Sequence, residues 1–142
     1  MDEKDPNFKL AVQQGFAQAA FPRELGIAFV DCGPGWCESS LQLEPRHLQQ
    51  DRYVHAGVQA TMADHTAGAA AATVLPAAGT VLTVEFKINL LRPGQGESLT
   101  CRAQVLKAGR NLSVVESEVY ANSQNERALV SKATVTIANV LY

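Results

Sequence analysis

Near the N-terminus the apolar residues Phe8, Val12, Phe16 and Ala20 recur every four positions. That step lines them along one face of a short amphipathic helix. Asp5-Pro6 suits the start of such a helix, and Phe21-Pro22 marks its expected end. Leu25 to Asp31 is apolar and β-like, Gly33-Pro34-Gly35 is a turn, and Trp36 to Leu43 alternates as a second strand. Pro45 to Arg52 is polar and reads as a loop. From residue 55 to residue 75 the pattern changes, because ten of the 23 positions from Ala56 to Ala78 are alanine. Alanine is the strongest helix former, and a helix this poor in bulk lets neighbours approach its backbone closely. A curved sheet wrapped around it would use that property. The period then becomes two. Leu82, Val84, Phe86, Ile88 and Leu90 are expected on one strand face, with Thr83, Glu85, Lys87 and Asn89 on the other. Arg92-Pro93-Gly94 ends this strand. Strands from Ser98 to Val105, from Leu112 to Ala121 and from Ala128 to Ile137 follow, separated by turns at 107–111 and 122–126. The expected architecture is α+β: a helix, two strands, one long small-residue helix, and four strands in an antiparallel meander.

Composition narrows the function classes. The 142 residues suit one domain spanning 1–142, with enough chain to bury a real core. Twelve basic and fourteen acidic residues give a formal charge of -2, against the basic balance of a phosphate-tracking protein, so nucleic acid is not expected as a partner. Cys32, Cys37 and Cys101 contain no C-x-x-C pair and predict buried thiols rather than a disulfide framework or zinc site. The charged start Met1-Asp2-Glu3-Lys4-Asp5 does not read as a signal peptide, and no uninterrupted apolar run approaches the roughly 18 residues of a membrane span. A cytoplasmic protein without a membrane partner is expected. No serine lies in a nucleophile-elbow context.

Chemistry concentrates in the run from His55 to Gly68. His55-Ala56-Gly57 stands where loop becomes helix, and the first amides of a helix lack partners and carry the positive end of its dipole. Such amides can hold a developing oxyanion. Asp64 lies among alanines, where an acid is costly unless it is paired or functional. Thr61 is the nearby hydroxyl with which it could pair. Gly57, Ala60, Thr61, Asp64, Gly68 and Ala71 share one helix face. Two helical turns, about 10 Å, separate Gly57 from Asp64. One reacting carbon cannot easily meet both ends on the same chain, so a second subunit is expected to supply one of them.

These residues resemble the hotdog-fold acyl-CoA thioesterases, in particular the phenylacetate-pathway (PaaI-like) branch with its run H-G-G-x-x-x-x-x-x-D, here His55-Ala56-Gly57 and Asp64. The strand 83–90 leading to Arg92-Pro93-Gly94 and the 105–110 hairpin extend the likeness over most of the chain. The resemblance implies a hotdog fold, with an antiparallel sheet around a central helix and a short N-terminal helix ahead of it. It implies hydrolysis of a small or medium acyl-CoA, aryl groups included, to free acid and CoA. Asp64 would act as general base or nucleophile, the Ala56 and Gly57 amides would polarise the thioester carbonyl, and His55 would place their loop. Gln49, with Gln50 as the alternative, and Thr83 match positions that orient water in some relatives. No metal or cofactor is implied. The implied assembly is a homo-oligomer, a dimer of dimers with the site between subunits.

Two departures stand out. Ala56 replaces the first glycine and keeps its N–H, but disfavours positive φ. His65 follows Asp64 and points about 100° away on the helix, as a substrate contact or as packing. Because CoA carries phosphates, Arg92, Lys107 and Arg110 are candidate rim cations. Phe8, Phe16, Trp36 and Met62 suit an apolar acyl group or the core equally. Two other classes remain compatible with the sequence: a hotdog hydratase or dehydratase acting on acyl thioesters, and a non-catalytic acyl-CoA-binding module.

Overall fold

The computed structural model describes residues 1–142. In chain order the elements are α1 (Phe8–Gln18), α2 (Ala20–Leu25), β1 (Ala28–Gly33), β2 (Trp36–Gln42), a 3-10 turn (Pro45–His47), α3 (Ala56–Ala72), β3 (Gly79–Leu90), β4 (Ser98–Ala108), β5 (Leu112–Ser123) and β6 (Glu126–Leu141). The expected first helix is in fact two. Ala19 is extended, and the chain restarts at Ala20, placing Pro22 in a first helical turn, where its missing N–H costs nothing. Gly26, at φ 92°, closes α2: its N–H reaches Arg23 O and the Ile27 N–H reaches Pro22 O.

The six strands form one antiparallel sheet in the order β1-β2-β4-β5-β6-β3. The last four strands are therefore not a simple meander. β3 pairs with β6 and stands at the sheet edge, and the connection 91–97 carries the chain from it to β4. The sheet packs on α3, as the alanine content predicts. Met62, Ala63, Ala67, Ala70 and Ala71 are fully buried against Leu41, Leu99, Val115, Val119, Val135 and Ile137. Hydroxyls stitch the two layers. Ser117 donates to Ala63 O at 2.8 Å, and Ser39 bonds Thr66 at 2.7 Å while Thr66 donates back to Met62 O. These bonds satisfy polar groups that would otherwise be costly inside. This is the hotdog arrangement expected above.

β3 departs from strict alternation. Thr83 pairs with Ile137 and Glu85 with Thr136, so Val84 is an extra, bulged residue. Beyond the bulge Phe86 pairs with Val135 and Ile88 with Ala133. Ile137, Val135 and Ala133 are all buried beneath α3. The bulge thus places Thr83 on the same, helix-facing side as Phe86 and Ile88, whereas alternation puts it opposite them.

Candidate active site

The start of α3 is built by its own loop. His55 is the N-cap, and its Nδ1 accepts the Gly57 N–H at 2.8 Å. The His55 N–H donates to His47 O, and the Val54 N–H to Gly94 O. His47 is fully buried; its Nδ1 accepts from the Glu44 N–H and its Nε2–H donates to Leu25 O at 2.6 Å. It is scaffold, positioning the strip that carries His55. The Gly57 amide is therefore not free for a substrate, which corrects the expectation of two open amides: only the Ala56 N–H is unpartnered. Ala56 is the first residue of a regular helix, so its alanine side chain carries no backbone strain.

Asp64 lies two turns further on, half-buried. Thr83 donates its hydroxyl to Asp64 Oδ1 at 2.7 Å. Thr61 does not pair with the acid; its hydroxyl donates to Gly57 O one turn back. His65 packs its ring on Phe16, with centroids 4.1 Å apart, and its Nε2–H donates to Phe16 O at 3.1 Å. Burial holds its pKa below the usual 6.5.

Two separate clefts result. One, of about 400 Å³, lies between α1, α3 and the start of β3; Asp64, His65 and Thr83 line it with Phe8, Val12 and Phe16. The other, of about 540 Å³, lies at the start of α3 beside the end of β3, lined by Gln49, Gln50, His55, Ala56, Gln59 and Arg92. The structure thus splits the expected residues into an acid half and an amide half. Gln49 Oε1 accepts the Asp51 N–H, bracing its own loop. Arg92 donates to Leu129 O at 2.7 Å, so one of its nitrogens serves the fold. Lys107 and Arg110 join neither half. They belong to the β4–β5 hairpin, and Arg110 borders a different hollow with Lys4 and Asn139. Trp36 and Met62 also lie outside both clefts: Met62 is core, and Trp36 stacks under Arg102. The residue that sequence reasoning passed over is Gln59, only 3% exposed, whose Oε1 has no hydrogen-bond partner. Its inward position follows from the helix face it shares with Met62, Ala63 and Thr66.

Comparison with known proteins places the chain in a family. Residues 52–128, which include His55, Ala56, Asp64 and Thr83, match the thioesterase superfamily. A thioesterase family protein from Silicibacter pomeroyi superposes with a TM-score of 0.90 at 33% identity, over 92% of this chain and 96% of that one. A 1,4-dihydroxy-2-naphthoyl-CoA hydrolase from Listeria monocytogenes is 25% identical over 114 residues, 80% of this chain and 91% of its own length. The PaaI protein of the Escherichia coli phenylacetic acid degradation operon shares the fold, with a TM-score of 0.78 at 19% identity over 89% of this chain and 88% of that one. With its sheet wrapped around an alanine-rich helix, and its acid and free amide on that helix, this chain belongs to the thioesterase superfamily.

Proposed function

We propose that the protein hydrolyses small-to-medium or aryl acyl-CoA thioesters, within the PaaI-like branch, at a site shared between two copies of the chain. The observation that carries this reading is the separation of the two clefts. Eight residues of helix, about 12 Å along the axis, divide Ala56 from Asp64. A catalytic acid and an oxyanion donor must each come within about 3 Å of one carbonyl group. The acid half borders the start of β3 and the amide half borders its end. Two copies of a strand paired antiparallel about a two-fold axis set the start of one against the end of the other. β3 has a free edge, and it exposes Leu82, Val84, Phe86 and Leu90. Such an edge is a hazard unless it is covered. A β3–β3 pairing covers it and brings each acid half to a partner's amide half. A second such pairing of dimers, giving a dimer of dimers, follows from the family resemblance.

The chemistry then balances simply. The Ala56 N–H holds the thioester carbonyl oxygen. Asp64 of the facing copy, oriented by the Thr83 hydroxyl, takes a proton from water as the water oxygen bonds to the carbonyl carbon. The oxyanion re-forms the carbonyl, the C–S bond breaks, and the departing thiolate takes the proton from Asp64. The products are a carboxylic acid and CoA-SH. In the alternative route Asp64 itself bonds to the carbon and expels the thiolate, and water then cleaves the anhydride. Phe8, Val12, Phe16 and Val81 give the acid cleft apolar walls suited to an acyl group. Arg92 stands at the amide cleft, where the CoA portion would leave.

The test is CoA release from a panel of acyl-CoAs running from acetyl to phenylacetyl and decanoyl. The parent protein turns over at least one of them, and Asp64→Asn loses roughly 10³-fold or more in kcat. Full activity in Asp64→Asn would overturn the assignment. Single-turnover hydrolysis in ¹⁸O-water separates the routes, since label enters Asp64 only through the anhydride.

A further inference from the structure

Two glycines face the acid cleft without a backbone reason to be there. Gly68 lies in α3 one turn beyond Asp64, Gly15 lies in α1 beside Phe16, and both line the cleft. Neither has a positive φ. Close packing does not require them either. A Cβ on Gly68 would meet only Val81 Cγ2, at an ordinary 3.8 Å, and one on Gly15 would meet nothing within 4 Å. Glycine inside a helix weakens it relative to alanine, which α3 uses freely elsewhere. What the two glycines keep is open space in the cleft.

That cleft is a groove rather than a round pit. On one wall it takes α3 from Asp64 onward, through Gly68 and Ala72 on successive turns. The other wall is α1. Phe16 is fixed at the acid end by its contacts with His65. The chain ahead of α1 lies at the far end, where Lys4 shares a hollow with Leu75 and Pro76. α1 therefore runs back along α3, from Phe16 beside the acid to Phe8 near Leu75. Eight residues of helix separate Asp64 from Ala72 and Phe16 from Phe8, about 12 Å in each case. An extended chain advances about 1.2 Å per bond, so about ten bonds span that distance. Asp5 stands at the outer end, and a carboxylate is a poor neighbour for further methylenes. An aryl group such as phenylacetyl would fill only the part of the groove nearest the acid.

From this we infer that the preferred substrate is an unbranched acyl-CoA of about ten carbons, its chain laid lengthwise between α1 and α3, and that Gly68 sets how far the chain can reach. The inference rests on the thioesterase reading above and narrows its substrate class. With the thioester carbonyl held at Asp64, the first methylenes pass Gly15 and Gly68, where side chains would stand in their path. The later methylenes lie against Phe8, Val12 and Leu75. Burying one methylene is worth roughly fourfold in binding, so a groove of this length discriminates by chain length.

The experiment uses the full chain with butanoyl-, decanoyl- and phenylacetyl-CoA as probes, CoA release as the readout, and thermal unfolding beside it. In the parent, kcat/KM for decanoyl-CoA is expected to exceed that for either of the other two by at least about tenfold. Gly68→Leu fills the groove one turn beyond the acid and should lower the decanoyl-to-butanoyl ratio of kcat/KM by at least about tenfold. Gly15→Leu, on the other wall and at an exposed position, should lower the same ratio, and it decides the matter if Gly68→Leu does not fold. The unfolding midpoint of Gly68→Ala equals or exceeds the parent's, because alanine strengthens the helix. A parent that turns over butanoyl- or phenylacetyl-CoA as efficiently as decanoyl-CoA overturns the inference while leaving the thioesterase reading intact. So does a ratio that folded Gly68→Leu leaves unmoved, or that Gly15→Leu leaves unmoved in its stead. A lowered midpoint in Gly68→Ala also overturns it, since the glycine would then serve the fold. A parent protein that releases CoA from no acyl-CoA overturns both.

Discussion

Asp64 shows how one hydrogen bond sets a geometry. The Thr83 hydroxyl holds Oδ1, which leaves the other carboxyl oxygen without a protein partner in a residue that lines the cleft. A hydrogen bond of this kind contributes about 1–2 kcal/mol, close to a factor of ten in rate. Thr83→Val should therefore lower kcat roughly tenfold with little change in KM, measured by CoA release. The motif spacing makes Asp64 legible in the sequence, but it does not make Thr83's orientation legible. Strict alternation places Thr83 opposite Phe86, and only the bulge at Val84 turns it toward the acid. No glycine marks that bulge, so the sequence carries no signal for it. His65 is a second instance of residue-scale control. Burial against Phe16 keeps it neutral, with its pKa below 6.5. The unfolded chain thus binds a proton more readily than the folded one, so stability is full above about pH 6.5 and is lost as pH falls below it. Denaturant unfolding of the parent and of His65→Gln across pH 5 to 8 should show a decline below 6.5 that the variant largely lacks. The cysteines follow the same logic without a role in the site. Burial pushes the Cys101 thiol up to about 12 and Cys37 higher still, so neither should react with iodoacetamide until the protein unfolds.

At the scale of elements, α3 carries most of the consequences of the sequence. Its buried alanines let the sheet close on it, and its two ends of chemistry come from one uninterrupted helix. Ala67→Leu should lower stability by about 1–3 kcal/mol through overpacking, read as a fall in the unfolding midpoint. The helix and each strand are legible because their periods are strong. The strand order is not. Sequential strands usually pair, which would set β3 beside β4, whereas 91–97 carries the chain away and β3 joins β6 at the edge. Alternation reports which face a residue takes, not which neighbour its strand finds. The break at Ala19 is hidden for a similar reason. Pro22 reads equally as the end of one helix or the first turn of the next, and the structure selects the second.

At the scale of the molecule, a single chain holds two separate clefts, each an incomplete half of a site on the proposed reading. The apolar residues exposed along β3 support the proposed pairing, since burying apolar area is the main driving force of association. Val84→Lys places a charge on that edge. It should shift the protein toward monomer in analytical ultracentrifugation and reduce thioesterase activity together with the dimer fraction. The expectation of a shared site is legible in the sequence, because the helical rise alone fixes how far Gly57 stands from Asp64. The partition of Gln49, His55, Ala56 and Arg92 from Asp64, His65 and Thr83 gives that expectation its particular form.

Mixing two inactive variants tests the shared site most directly. Asp64→Asn removes the acid. Ala56→Pro removes the free N–H at a position where proline suits the helix start, following an extended His55. Each alone should have kcat reduced by at least roughly 10². Unfolded together in equal amounts and refolded, they should recover about a quarter of parental activity, because half the dimers are mixed and each mixed dimer has one of its two sites intact. Activity that stays at the level of the separate variants, with mixed dimers demonstrated by mass spectrometry, would place acid and amide in the same chain and contradict the account.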